Sequence, residues 1–98
     1  MSLAVDGIAM ALVKATKRGK ASIEDAVRHL PHAALDAQVA HEGAPINPSR
    51  FTFAAAAMCL GFMGDALPQT FASERAAYRA GVEIRRRFDH EIRKESTP

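Results

Sequence analysis

The sequence predicts an all-α fold, a compact bundle of four or five helices, and three observations lead to this prediction. Alanine, the strongest helix former, accounts for 20 of the 98 residues. Glycine and proline separate segments in which apolar residues recur every three or four positions, which is the period of a helix. Alternating β-branched segments typical of strands are scarce. Because a chain of this length supports at most one core, we expect a single helical domain at 1–95 and a frayed tail at 96–98.

The first helix is expected from Leu3 or Gly7 to Arg18. Gly19 follows it and readily takes the left-handed conformation that ends helices. Basic residues crowd the last turn, where the helix dipole favours them. The spacing of the apolar residues places four of them on one face: Ile8, Ala11, Leu12 and Ala15.

A second helical segment is expected from Ser22 to about His41. The Ser22 hydroxyl can accept a hydrogen bond from a free backbone N–H of the first turn, where Glu24 and Asp25 also lie. Apolar residues then recur at helical steps: Ile23, Val27, Leu30, Ala34 and Ala37. Pro31 lies inside this stripe and either kinks one long helix or separates two short ones. Because proline removes a backbone hydrogen bond and clashes with the preceding turn, we expect the separation.

A fully apolar central helix is expected at about residues 50–64. From Phe51 to Met63 the sequence is apolar on every side of a helical wheel, which is typical of a helix buried all round. Small residues, among them Ala57 and Gly61, allow another backbone to approach closely, so both are candidate interaction residues. A long C-terminal helix is expected at about residues 69–94, with one apolar stripe: Ala77, Gly81, Ile84, Phe88 and Ile92.

The chain has few large apolar side chains with which to cover that central helix. Leucine, isoleucine, valine and phenylalanine together make 21 of the 98 residues. The formal net charge of +2 is too small to keep the chain open by self-repulsion. We therefore expect a homo-oligomer, because a second copy would supply the missing burial.

The densest positive cluster is Arg85, Arg86 and Arg87, with Arg79 and His90 nearby, and it is a candidate for phosphate contacts. Acidic residues stand four positions from several of these arginines, which is the spacing of ion pairs on a helix: Arg79 with Glu83, Glu83 with Arg87, Arg85 with Asp89, and Asp89 with Arg93. We expect an ion-paired, solvated face, with the stem of Arg85 partly buried at the edge of the apolar stripe.

No common catalytic or cofactor-binding motif occurs: there is no HExxH, paired CxxC, GxSxG, P-loop or GxGxxG sequence. We therefore expect neither an enzyme nor a cofactor. Cys59, the only cysteine, lies in the most apolar segment and is expected to be a core residue rather than a nucleophile. A single cysteine excludes intrachain disulfides and favours a reducing compartment, so we expect a cytoplasmic protein.

One constellation has the residue types of a divalent metal site. Asp25, His29, His32 and Asp36 would share one face of a continuous helix. Pro31 interrupts them, and the face lies opposite the apolar stripe, where solvent is expected, so we expect no metal site.

The sequence thus predicts a non-enzymatic helical protein–protein interaction or assembly module whose first partner is a second copy. The candidate interaction residues are Ala57, Gly61, Arg79, Arg85, Arg86 and Arg87. The alternative is a nucleic-acid-associated accessory protein that uses the basic C-terminal helix. No membrane span is expected, because the longest uncharged stretch, 51–64, has 14 residues, fewer than the roughly 18 to 20 that cross a bilayer.

Overall fold

Four α-helices and one short 3-10 helix make up the described part of the chain. The computed structural model describes residues 5–16, 23–42 and 48–96, and side chains at 5–16, 23–35 and 53–94. The helices are α1 (Val5–Thr16), α2 (Ile23–Glu42), α3 (Pro48–Met63), the 3-10 helix (Gln69–Glu74) and α4 (Arg75–Ser96). These described segments contain no strand. The predicted all-α bundle with a long C-terminal helix is confirmed.

The helices pack as a closed ring in which neighbours in sequence are neighbours in space. α2 contacts α1 and α3, and α4 contacts α3 and α1, while the 3-10 helix contacts α3 and α4. Among the described residues, the diagonal pairs α1 with α3 and α2 with α4 make no contact. This is the arrangement of a four-helix bundle, in which each helix buries one stripe toward a common core.

The core is a single cluster to which all four α-helices contribute. Phe62 of α3 and Phe88 of α4 meet at its centre, with ring centroids 5.7 Å apart in an edge-to-face arrangement, a geometry that aromatic rings prefer over a flat stack. The other fully buried large side chains are Ile8, Leu12, Val13, Leu30 and Ile84. All of these except Val13 come from the predicted apolar stripes, so the pattern in the sequence and the packing agree at those positions.

The buried face of α1 differs from the predicted one by a rotation about the helix axis. Ile8 and Leu12 are buried as expected, but Ala9, Val13 and Thr16 accompany them, while Ala15 is exposed. Valine gains more from burial than alanine does, which favours the face that includes Val13. Thr16 tolerates burial because its hydroxyl donates to the Leu12 carbonyl oxygen at 2.9 Å. The predicted stop at Gly19 lies outside the described residues.

α2 runs without a break through Pro31, so the expected separation into two helices is wrong. Ala26 and Leu30 before the proline and Ala34 after it are all buried. A continuous helix keeps these residues on one stripe against the core, and this burial offsets the roughly 3 kcal/mol that a proline inside a helix costs. The Ser22 cap and the side chain of Ala37 lie outside the described part of the chain.

The region from α3 to α4 departs from the prediction in two ways. The last helical segment starts at Gln69 as expected, but its first six residues are a 3-10 helix. Phe71 has non-helical dihedral angles there, with φ −105° and ψ 20°, and α4 begins only at Arg75. In addition, α3 is not buried on every side: among the described elements, α2, α4 and the 3-10 helix pack against it, and Phe53 and Met63 are exposed. The predicted stripe of α4 is confirmed: Ala77, Gly81, Ile84 and Phe88 are buried and Ile92 is partly buried.

Candidate interaction surface

One face of α3 is apolar and turned to solvent. We call it the α3 outer face, and it consists of Phe53, Ala56, Leu60 and Met63. These residues follow one another at steps of three, four and three, so they form a single stripe along the helix. Phe53 is 57% exposed and Met63 is 51% exposed, while Ala56 is exposed and Leu60 half-buried. None of the four carries a charge or a polar group that water would solvate well.

A ring from the 3-10 helix extends this stripe at one end. Phe71 is half-buried, and its ring centroid lies 6.0 Å from that of Phe53. The backbone turn before the 3-10 helix is held by Tyr78 of α4, whose hydroxyl donates to the Asp65 carbonyl oxygen at 2.6 Å. The apolar surface therefore combines one face of α3 with an aromatic side chain of the 3-10 helix.

The α3 outer face was not among the predicted interaction residues, although the sequence of α3 carries a signal for it. Ala57 and Gly61 are predicted to make a close backbone contact, and a helical wheel places Met63 well away from both, whereas Phe53 lies one turn from Ala57 at the edge of that side. An all-apolar helix with its small residues on one side must present its large residues on another. Spacing alone does not show whether the other helices cover every side of α3.

Ala57 and Gly61 lie on the inner side of α3, against α4. Ala57 is fully buried, and a Cβ atom added at Gly61 would overlap the backbone carbonyl of Tyr78. The relation is reciprocal, because a Cβ at Gly81 would overlap the carbonyl of Met58. The close approach that the small residues predicted is thus made by the chain's own α4, and both residues are covered within one copy.

Arg85 is held by contacts to the end of α3 and to its own helix. Its Nη1 donates to the Phe62 carbonyl oxygen at 3.0 Å, and its guanidinium carbon lies 5.4 Å from the centroid of the Phe62 ring. Its Nε donates to both carboxylate oxygens of Asp89, at 3.0 and 3.2 Å. The side chain is 32% exposed, so the expected partial burial of its stem and the expected pair with Asp89 are confirmed.

Arg86 and Arg87 also have acidic partners, but not all of them are those expected. Arg86 pairs with Glu83 at 3.0 Å, three residues away, whereas we expected Glu83 to pair with Arg79 and Arg87. Arg87 lies 3.7 Å from Glu91 and 3.6 Å from Asp6 of α1. Both i,i+3 and i,i+4 neighbours lie on one side of a helix, so the spacing alone does not choose between them. The cluster is ion-paired, as predicted.

A shallow groove of about 550 Å³ separates α4 from the start of α1. Its lining carries balanced charge, since three acidic side chains face three arginines, with a histidine in addition: Asp6, Glu83, Asp89, Arg86, Arg87, Arg93 and His90. A groove of this composition has no strong preference for an anion, because each phosphate contact would compete with a carboxylate that is already in place. Arg79, the fourth candidate arginine, is exposed on α4.

Among the described side chains, the histidines and the cysteine do not assemble into a metal site. Cys59 is half-buried against the core, and burial raises the pKa of its thiol above the ordinary value of 9.0, which opposes formation of a nucleophilic thiolate. His29 and His32 are exposed on α2, and the Asp36 side chain lies outside those described. In the described part of the chain, no group of three histidine, cysteine, aspartate or glutamate residues is arranged to hold a metal ion.

Within the described ranges, no helix combines the length and the apolar character that crossing a bilayer requires. The chain matches no protein-family model, and neither the curated proteins nor the solved structures include one with significant similarity to it.

Proposed function

We propose that this protein is a non-enzymatic helical interaction and assembly module that self-associates through the α3 outer face. The observation that carries the proposal is the exposure of Phe53 and Met63 on one stripe of an otherwise well-buried apolar helix. Single exposed apolar residues are common on protein surfaces, but a contiguous apolar stripe marks a site of association. Such a stripe is costly to leave in water and gains free energy when a second apolar surface covers it.

Two further observations support the proposal. Arg85, Arg86 and Arg87 of α4 are paired within the chain, with Asp89, Glu83, Glu91 and Asp6 as their partners, so these three are less available to a phosphate backbone. A single half-buried thiol supports residence in a reducing compartment, and we propose the cytoplasm.

The test compares two lysine substitutions at exposed methionines. Met63→Lys places a charge in the α3 outer face, whereas Met10→Lys places the same charge on α1, where Met10 is 38% exposed. Lysine near the C-terminal end of α3 is favoured by the helix dipole, so the monomer should remain folded. Circular dichroism and thermal unfolding check this.

Light scattering and sedimentation velocity, from about 10 to 500 μM protein, measure the result. We expect the apparent mass of the wild type and of Met10→Lys to rise with concentration, and that of Met63→Lys to stay at one chain, because a buried unpaired charge is costly. A wild type that remains monomeric throughout, or a Met63→Lys variant that associates like the wild type, would overturn the proposal.

A further inference from the structure

We propose that residues 69–74, which we call the strap, exchange between two states. One is the 3-10 helix of this structure, with the Phe71 ring beside Phe53. The other is an α-helical extension of α4 in which the ring leaves Phe53. The strap thereby controls access to one end of the α3 outer face. The exchange is a property of the single chain, whereas its regulation of binding at this face rests on the proposed function.

A change at one residue converts the first state into the second. Within the strap, Phe71 alone has dihedral angles that are not helical, and Arg75, which follows the strap, is helical at φ −57° and ψ −39°. At present the Phe71 N–H donates to the Pro68 carbonyl oxygen at 2.9 Å. In an α-helix the Ala72 N–H donates to that oxygen instead. The carbonyl therefore keeps a hydrogen bond in both states.

The sequence favours a continuous helix through the strap. It has no glycine or proline from Gln69 to Ala80, and Pro68 stands just before the strap, where the missing N–H of a proline costs no helical hydrogen bond. A 3-10 run of six residues is long, since such runs rarely exceed about three or four, and 3-10 segments within helices often mark hinges. The 3-10 geometry therefore depends on contacts outside the strap.

The ring pair of Phe53 and Phe71 supplies such a contact. The ring centroids lie 6.0 Å apart and the planes are tilted by 58°, which is within the range of favourable aromatic pairs. Phe71 and Glu74 are half-buried, and the other four residues of the strap are exposed. A segment with so few buried contacts opens at a low free energy, so the loss of one ring contact is enough to change its state.

The conversion moves Phe71 away from Phe53. A 3-10 helix turns by about 120° per residue and an α-helix by about 100°, with rises of about 2.0 and 1.5 Å. Because Phe71 lies four residues before Arg75, the conversion rotates it by roughly 80° about the helix axis and shifts it by about 2 Å along that axis. A displacement of this size breaks the ring contact and uncovers the side of Phe53 that faces the strap.

Phe53 thus has two competing partners, the ring of the strap and an apolar side chain of the second copy proposed above. A ligand shifts such an equilibrium only by binding one state better than the other. A second copy that packs on the strap side of Phe53 binds the open state alone, so its apparent affinity is lowered in proportion to the fraction of open chains. The contact between Phe71 and Phe53 is therefore autoinhibitory.

NMR spectroscopy of the full chain, at the lowest concentration that gives usable spectra, tests the exchange. The deciding variant is Phe53→Ala, which removes the ring contact and leaves the sequence of the strap unchanged. We expect its Cα chemical shifts at residues 69–74 to move toward α-helical values and the amide hydrogen exchange of Ala72 to slow several-fold. Phe71→Ala should have the same effect. Met63→Ala, at the other end of the α3 outer face, is the matched control and should leave the strap as in the wild type.

Two results for Phe53→Ala would overturn the exchange. Unchanged shifts would show that the ring contact does not hold the strap in the 3-10 state, and shifts that move to random-coil values would show that the strap frays instead of joining α4. Sedimentation velocity of Phe71→Ala tests the regulation. Association at a several-fold lower concentration than in the wild type supports it, and weaker association overturns it. If both proteins stay monomeric, the proposed function fails, while the NMR result still decides the exchange.

Discussion

Arg85 of α4 caps the C-terminal end of α3 through its contacts with Phe62. The guanidinium donates to the Phe62 carbonyl oxygen and lies over the Phe62 ring, one residue before α3 ends at Met63. Carbonyl groups in the last turn of a helix have no partner within the helix, and a cation there is favoured by the helix dipole. Arg85 therefore joins α4 to the end of α3 through a hydrogen bond between residues 23 positions apart.

This contact predicts that replacing Arg85 lowers the free energy of unfolding more than replacing its neighbour Arg86 does. Arg85→Gln should lower the free energy of unfolding by about 1 to 3 kcal/mol, because a hydrogen bond to a charged group and a cation–π contact are both lost. Arg86→Gln should change it by less than about 0.5 kcal/mol, since that side chain is 74% exposed. Urea unfolding of both variants measures the difference, and equal effects would contradict the capping role.

The reciprocal glycine contact between α3 and α4 predicts a second pair of destabilising substitutions. Gly61→Ala and Gly81→Ala should each cost more than about 1 kcal/mol, because the new Cβ would meet backbone that cannot rotate away. Gly61→Leu should cost more than Gly61→Ala. Thermal unfolding measures these losses. The control is Gly64→Asn, where φ is +79° and no atom lies within 4 Å of an added Cβ. Asparagine tolerates that conformation, so the control should lose less stability. An unchanged melting temperature of the Gly61 variants would mean that α3 and α4 separate readily.

Cys59 predicts a loss of stability in alkaline solution. Burial raises the pKa of its thiol in the folded state above the ordinary 9.0, so the unfolded chain loses this proton at a lower pH than the folded chain. The stabilising contribution is fully present below pH 9 and falls as pH rises from there through the higher folded pKa. Between pH 8 and 10.5 the wild type should therefore lose more stability than Cys59→Ala does. Parallel curves for the two proteins would show that the thiol titrates as freely when folded as when unfolded.

Much of the fold was predictable because helical periodicity is a local signal. The stripe of α4 needs no tertiary information, and Phe88 and Ile84 are buried as it predicts. The failures lie where packing overrides local preference. Proline disfavours a helix interior, yet Leu30 and Ala34 hold α2 in one piece through contacts with other helices. Phe71 leaves helical geometry where it contacts Phe53, 18 positions earlier in the chain, and no local pattern contains that information.

The interaction surface was predictable only in part, for a similar reason. The small residue at Gly61 correctly indicated close approach of a backbone, but spacing does not say which backbone comes close, and it is that of Tyr78 in the same chain. The partly buried stem of Arg85 followed from its position at the edge of the α4 stripe. Its hydrogen bond to the Phe62 carbonyl oxygen, 23 residues away, did not follow from the sequence, because the register between α3 and α4 is set by tertiary packing.

The last prediction concerns nucleic acid, the alternative ligand of the α4 cations. Generic duplex DNA should show no saturable binding at about 150 mM salt, because a phosphate would have to displace carboxylates from Arg86 and Arg87. Electrophoretic mobility shift and fluorescence anisotropy at several salt concentrations measure this. The informative variant replaces Arg79, Arg86 and Arg87 with glutamine and keeps Arg85, whose loss would also perturb the fold. Two results together would favour the alternative function. The wild type would bind DNA tightly and lose affinity steeply as salt rises, and the triple variant would lower the slope of log affinity against log salt by roughly one unit per lost contact.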